Sequence, residues 1–232
     1  RHYKVGEIAA VAGPVNASTD KFTIRIRGSG GHGARPQECI DAVVVGSLMV
    51  ISIQTIVSRE IDPAQPSVIS VGRFDAGSAH NVIAGEALLE GTIRAQHPEV
   101  RKTLRRSILR IAESVGQLHG ANVEATVQDG TPPVINPPDM AALAQQAVRA
   151  CLGPDGLKEL RTANMGGEDF SFFMDKVPGC YVRIGGLRPG SEGFPAHSSK
   201  FDFDEAALGY GALYYKTVAL LAGERLRKGE QG

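Results

Sequence analysis

ALLEGTIRAQHPEVRKTLRRSILRIAESVGQLHGANVEATV, residues 87–127, carries the clearest pattern in the chain. Its centre is an amphipathic helix. Val100, Leu104, Ile108, Ile111, Val115 and Leu118 recur at steps of three and four, with Arg101, Lys102, Arg105, Arg106 and Arg110 between them, so one stripe is apolar and the rest charged. His119-Gly120 supplies the stop signal. Residues 87–94 before the helix read as a strand, and residues 122–127 after it alternate as another. Further out, Phe22-Thr23-Ile24-Arg25-Ile26-Arg27 alternates apolar and polar, as a half-buried strand does. A glycine-rich turn follows at 28–33. Pro36 then opens a helix predicted over 38–58, with Ile40, Val43, Val44, Leu48, Ile51 and Ile56 along one side. Residues 67–73 form one more strand. The order is β-α-β-β-α-β, the ferredoxin-like arrangement of two helices on one face of a four-stranded antiparallel sheet. That fold hosts many unrelated activities, so function has to be argued from sites.

Residues 130–138, GTPPVINPP, concentrate turn and breaker residues and end this region. Beyond them the sequence reads as a helix (138–151), a short apolar strand (180–184), a Gly/Pro-rich loop (185–195) and a closing helix (204–227). Ala207, Leu208, Leu213, Val218 and Leu221 are apolar in that last helix, and Asp202 or Asp204 is placed to cap it. Two helices and one or two strands make too little structure for an independent core. The apolar stretch 5–11 likewise reads as one strand of a sheet whose other strands lie elsewhere. The expected organisation is a remnant strand of an α/β domain at 1–17, a ferredoxin-like α+β domain at 18–131, and the C-terminal part of the α/β domain at 132–232. The chain is expected to be cut inside that α/β domain.

Composition narrows the function classes. With 42% hydrophobic and 22% charged residues the chain is ordinary for a globular protein. Lys+Arg 25 balance Asp+Glu 25, so the basic excess of a nucleic-acid-binding surface is missing. An RNA-binding sheet would also want exposed aromatics, and the chain has no tryptophan and few strand aromatics. No run of roughly 18 apolar residues is present, so no membrane partner is expected. Cys39, Cys151 and Cys180 are odd in number and far apart, with no CxxC pair. They read as small buried hydrophobes and fit a reducing, cytoplasmic location.

Three clusters carry side chains capable of chemistry. Gly30-Gly31-His32-Gly33-Ala34-Arg35-Pro36 sets a histidine in a glycine turn, where the backbone can approach a ligand and an imidazole can donate to a developing oxyanion. A tight turn with an exposed histidine accounts for the same residues. Gly166-Gly167-Glu168-Asp169-Phe170-Ser171 places adjacent carboxylates after a Gly-Gly turn, which suits metal binding, ligand orientation or plain helix capping. Pro195-Ala196-His197-Ser198-Ser199 precedes Phe201-Asp202-Phe203-Asp204-Glu205. One loop histidine with acids nearby is weak evidence of a metal site, which needs three or four ligands. His80, His97 and His119 sit at element ends and read as solvated.

In order along the chain, the blocks are these: Gly13-Pro14 with Ala17-Ser18 and Asp20; the Gly-Gly-His turn; Ile56-Val57-Ser58-Arg59 with Asp62-Pro63; Val71-Gly72; Asn81-Val82-Ile83; Gly91-Thr92-Ile93-Arg94; Gly166-Gly167-Glu168-Asp169-Phe170; and His197-Ser198 with Phe201-Asp202-Phe203-Asp204. Together they resemble the metallopeptidase superfamily of aminoacylase, succinyl-diaminopimelate desuccinylase and glutamate carboxypeptidase. The Gly-Gly-Glu-Asp-Phe block resembles its amidohydrolase branch in particular, that of the hippurate hydrolases and auxin-conjugate hydrolases.

The resemblance implies a two-domain enzyme acting on N-acyl amino acids or small peptide-like substrates. A zinc-peptidase-like α/β domain would hold two divalent metal ions, zinc or manganese, with cobalt or nickel accepting the same ligands. A ferredoxin-like lid inserted in it would pair the subunits as a homodimer. His197 matches the last metal ligand. His32 matches a lid histidine that reaches the partner subunit's active site and stabilises the tetrahedral intermediate. Asn81 and Arg94 match lid residues that hold the substrate, typically its carboxylate, and Glu168 lies in the block lining the catalytic pocket. The metals would polarise the amide carbonyl and a bridging water, with a glutamate as general base. That glutamate and the other metal ligands are expected before residue 1, where His2 is too close to Val5 to match the family's histidine. Ala84 and Ser199 stand where prolines are usual. With one recognisable ligand, the chain alone is expected to be inactive. The competing reading is a non-catalytic dimerisation or small-ligand-binding module.

Overall fold

The computed structural model describes residues 2–160 and 162–229. They divide into two compact units. One contains Asn16–Pro133 and, returning from later in the chain, Asn164–Asp169; the other holds the remaining described residues.

The first unit runs β1 (Asp20–Arg27), α1 (Ala42–Thr55), β2 (Ser67–Ala76), β3 (Glu86–Ala95), α2 (Pro98–Leu118) and β4 (Asn122–Asp129). Its sheet has the order β2-β3-β1-β4 with every neighbouring pair antiparallel. Asp20 lies opposite both Ile93 and Asp129, and Arg27 opposite both Glu86 and Asn122. On central β1 the two-residue period sends Phe22, Ile24 and Ile26 into the core and leaves Lys21, Arg25 and Arg27 exposed. Leu89 and Ile93 of β3, Met49 and Ile53 of α1, and Leu104 and Ile108 of α2 complete that core. Each such burial is worth about 1.5–3 kcal/mol. The opposite face of the sheet is polar, with Lys21–Glu90 at 2.6 Å, Arg73–Glu90 at 3.0 Å and Arg27–Glu124 at 2.9 Å.

The first helix departs from its expected bounds. Pro36–Glu38 is a single 3-10 turn, after which Ile40 exchanges two backbone hydrogen bonds with Ser29. Asp41 then accepts from the N–H groups of Val43 and Val44, and α1 starts at Ala42. Past Thr55 the helix widens into a π turn, Ile56–Glu60. Its orientation is also different. Ala42, Val45, Gly46, Met49 and Ile53 face the core, while Val43, Val44, Leu48 and Ile51 stay exposed, Ile51 at 65%. By length and mean hydropathy (1.7) Ala42–Glu60 could cross a membrane, although counting consecutive apolar residues passes it over. In this fold its buried side lies in the sheet's core.

The second unit is thinner. Ile8–Ala9 is the middle strand of three, parallel to Leu157–Lys158 and antiparallel to Arg183–Ile184. Both apolar strands expected here are therefore only two residues long. Gly13–Asn16 pairs with Val134–Asn136. Helices Pro138–Leu152 and Ala206–Arg227 close the core around Ile8, Ala10, Ala144, Ala147, Val148 and Tyr214. Buried Asn136 ties this unit together: its amide donates to the carbonyls of Val11 and Tyr181 and accepts from the Tyr181 N–H. Phe173, Leu208, Tyr215 and Leu226 remain mostly exposed. Ile184, Leu187, Phe194, Phe201, Phe203 and Leu208 line an open apolar groove.

Candidate functional site

The glycine turn folds into a small backbone framework. Gly31–His32 pairs with Val82–Ile83 in a two-stranded ladder, and the Gly33 N–H donates to the Asn81 carbonyl at 2.9 Å. The two strands approach so closely at Gly30 and Gly85 that a Cβ on Gly30 would sit 2.8 Å from the Ile83 carbonyl oxygen. Two of the residues singled out from sequence, His32 and Asn81, therefore stand side by side and exposed. The imidazole is not loose: the Ala34 N–H donates to its Nδ1 at 3.0 Å.

Arg94 is elsewhere. It lies near the end of β3, opposite Val68, on the face turned away from the helices. Its half-buried guanidinium has no hydrogen bond or ion pair among the described residues. The Gly28 N–H meets the Gly85 carbonyl at the start of β3, so the glycine turn and Arg94 are nine strand residues apart. That is about 30 Å at about 3.3 Å per residue. The glycine turn and Arg94 therefore lie toward opposite ends of β3.

The Gly166-Gly167-Glu168 segment joins the Arg94 end. The Ala17 N–H donates to the Asn164 carbonyl at 2.9 Å, and Asn16 Nδ2 to the Gly166 carbonyl at 3.1 Å. Gly167 lies on Thr19 and Thr131: a Cβ there would overlap Thr19 Cγ2 and come within 2.7 Å of Thr131 Oγ1. The Ser18 N–H donates to the Ala95 carbonyl at 2.7 Å, one residue beyond Arg94. Half-buried Glu168 is thus carried by the sheet unit, although its sequence position lies in the C-terminal third.

Beneath this end is a buried ion pair that pattern reading passed over, because Arg101 looks like one more charge on the solvated side of α2. Asp20 has a fully buried side chain and receives Arg101 Nε at 2.8 Å and Nη2 at 2.6 Å. The Gly130 N–H adds a third donor at 3.1 Å. Arg105 pairs with Asp129 beside it, which holds the Asp129 carboxyl below the usual carboxylate range. Thr19 and Thr131 exchange three further hydrogen bonds, at 2.9, 3.0 and 3.0 Å. Where β1 enters and β4 leaves, the two strands are thereby stapled. The signal available in sequence was the parity of Asp20, which falls on the buried side of the β1 alternation and so demands a cationic partner.

His197 belongs to the other unit. It lies exposed in the turn where the Ser198 N–H meets the Pro195 carbonyl. Among the described residues it is the one non-glycine with positive φ, at 67°. A left-handed backbone costs an ordinary residue roughly 1–2 kcal/mol, a strain that collects at functional positions. No group of three or more His, Cys, Asp or Glu able to hold a metal ion is found among the described residues. The donors among the described residues therefore do not make up a dimetal centre. His119 is a correction: its Nε2 is buried, with no partner among the described residues, rather than solvated. Burial pushes the Cys180 thiol up to about 11.

Residues 3–221 match peptidase family M20/M25/M40. The N-acetylcysteine deacetylase of Bacillus subtilis (strain 168) is 33% identical over 223 residues, 96% of this chain and 57% of its own length. The N-acyl-L-amino acid amidohydrolase of Geobacillus stearothermophilus is 45% identical over 131 residues, 56% of this chain and 35% of its own length. Among solved structures, the Bacillus subtilis YXEP protein, a dinuclear metal-binding peptidase of the M20 family, superposes with a TM-score of 0.77 at 29% identity. That match covers 95% of this chain and 54% of YXEP. The chain spans about half the length of the curated relatives it matches.

Proposed function

The chain belongs to peptidase family M20/M25/M40, and from that premise we propose that it is the lid and C-terminal part of a metal-dependent amidohydrolase cleaving the amide bond of N-acyl amino acids. The sheet unit is its ferredoxin-like lid. The observation that carries the reading is the Arg94 guanidinium, without a partner among the described residues, at the sheet end that also holds the Glu168 segment. A planar fork of donors beside a glycine-bounded backbone suits the α-carboxylate of an acylated amino acid. Asn81 shares in substrate binding. His32 supplies a hydrogen bond to the oxyanion that forms as the amide carbonyl becomes tetrahedral. Glu168 lines the same pocket. His197 is one ligand of a pair of divalent metals, zinc or manganese, whose other ligands lie in the part of the relatives' length that this chain does not span. On that account the 232 residues alone are inactive.

Since the glycine turn meets β3 at Gly85 and Arg94 lies about 30 Å further along that strand, one active site takes its arginine from one protomer and its histidine from the partner. The homodimer this requires has a suitable surface. β2 is an edge strand with exposed Val68 and Phe74, and exposed Val44, Leu48 and Ile51 of α1 belong to the same unit. An open edge with an apolar flank is the usual seat of a two-fold contact.

The test is hydrolysis of N-acetyl and N-benzoyl amino acids, with added Zn²⁺ or Mn²⁺, by a chain of the relatives' full length that carries this segment. His32→Ala is expected to lower kcat about 10²–10³-fold with little change in KM. Arg94→Ala should mainly raise KM, less so for substrates whose carboxylate is amidated. Wild-type kcat in His32→Ala would remove the oxyanion role. Turnover by the 232-residue chain alone that His197→Ala abolishes would overturn its assignment as inactive. Light scattering showing only monomer at tens of micromolar, or an Ile51→Glu variant that leaves a dimer intact, would overturn the lid contact.

A further inference from the structure

We propose that the main-chain N–H of Ala34 is a positioning group that holds His32 in one tautomer, with its proton on Nε2. The functional meaning rests on the reading of His32 as an oxyanion donor; the hydrogen bond itself does not. An amide N–H can only donate. Its acceptor at 3.0 Å, His32 Nδ1, therefore carries a lone pair and not a proton. A neutral imidazole has one N–H, which is then on Nε2, the nitrogen with no partner among the described residues.

The backbone around the ring leaves it little choice. His32 is paired with Val82, Gly33 donates to the Asn81 carbonyl, and the Arg35 N–H donates to the His32 carbonyl at 2.8 Å. These bonds close the turn 32–35 and aim the Ala34 N–H at the ring. The consequence is a sign. With the proton on Nε2 the exposed edge is a donor and attracts developing negative charge. With the proton on Nδ1 the same edge would present a lone pair and repel it. A rotating ring in water samples both; the turn depletes the unproductive one before substrate arrives, which is the preorganisation that makes an oxyanion site effective.

The assay needs no turnover. In the ¹⁵N-labelled chain, two-bond proton–nitrogen correlations report the tautomer of each of the six histidines, and His32→Gln assigns the signals of interest. Exposed His80 is the internal reference. His32 is expected to favour the Nε2–H form roughly fivefold more strongly than His80, the factor supplied by one ordinary hydrogen bond. A nitrogen–nitrogen coupling across the bond should connect the Ala34 amide with Nδ1. Ala34→Pro deletes the donor and should return the His32 ratio to that of His80. If that variant does not fold, the coupling in the unsubstituted chain decides alone. A His32 ratio equal to that of His80, a proton on Nδ1, or absence of the coupling overturns the proposal, whatever His32 does in catalysis. A fixed tautomer in a chain whose full-length form keeps its kcat in His32→Ala upholds the lock and removes only the oxyanion reading.

Discussion

Arg101→Ala is the substitution on which the account of the sheet unit depends most. It deletes two hydrogen bonds, at 2.8 and 2.6 Å, to a carboxylate whose side chain is fully buried. Removing one member of a buried pair costs roughly 3–5 kcal/mol, because the survivor is left charged and dry. Two groups soften the loss here. The Gly130 N–H still donates to Asp20, and Arg105 Nη1 lies 3.7 Å from it. The expected cost is therefore at the lower end, about 3 kcal/mol. With a urea slope of about 1.5–2 kcal/mol per molar, the unfolding midpoint should drop by about 1.5–2 M. Lys102→Ala is the control. Its partner Glu99 is exposed, so the change should stay within about 0.5 kcal/mol. Replacing the pair together, Asp20→Leu with Arg101→Met, should recover part of the loss, since no orphan charge remains. An Arg101→Ala cost below about 1 kcal/mol, or full additivity of Asp20→Asn and Arg101→Ala, would refute the idea that this pair staples the ends of the sheet.

Three further outcomes follow from the same contacts. Gly167→Ala must displace Thr19 or Thr131 and should cost about 1–3 kcal/mol, whereas Gly166→Ala, whose nearest neighbour is Asn164 Oδ1 at 3.4 Å, should stay within about 0.5 kcal/mol; equal urea midpoints would contradict the packing. The Ser18 hydroxyl is buried with no partner among the described residues, so Ser18→Ala should be neutral or stabilising in thermal melts, and a loss above about 1 kcal/mol would imply a bond not accounted for. Cys180 should resist thiolate-directed labelling at pH 8 until the chain unfolds, because burial raises its folded pKa to about 11. Its linkage has a definite sign: the unfolded thiol ionises near its model value of 9.0 while the folded one keeps its proton, so stability is lost as pH rises from about 9 to about 11. Urea midpoints at pH 8 and 10 should fall less for Cys180→Ala than for the parent chain.

The elements that sequence reading caught best are those with one apolar side. On α2, Val100, Leu104, Ile108 and Ile111 are buried as their spacing demands, and Gly120 follows the helix end with φ of 68°. On β1 the alternation predicted which side chains reach the core, residue for residue. Where a segment is apolar all round, as in Ala42–Thr55, periodicity has nothing to discriminate, and only packing against the sheet selected Val45 and Met49 over Val44 and Leu48. The short strands Ile8–Ala9 and Arg183–Ile184 were overextended for a related reason: apolar runs record burial, whereas strand length depends on partners far along the chain.

The candidate site divides along the same line. His32, Glu168 and His197 stand out by residue type and local sequence, which record what a side chain can do, and Asn81 and Arg94 by the family resemblance. Sequence by itself therefore determined the sheet's helix-facing residues and the chemistry available at each candidate position. Which candidates can act together was decided only by tertiary structure. Antiparallel pairing puts Asn81 beside His32 and carries Arg94 to the far end of β3, about 30 Å along the strand from Gly85. Contacts at Asn16, Ala17 and Thr19 draw Glu168 out of the C-terminal region to the Arg94 end. The Asp20–Arg101 pair spans 81 residues of chain, and no local pattern records a bond between positions so far apart, because chain folding alone sets their distance.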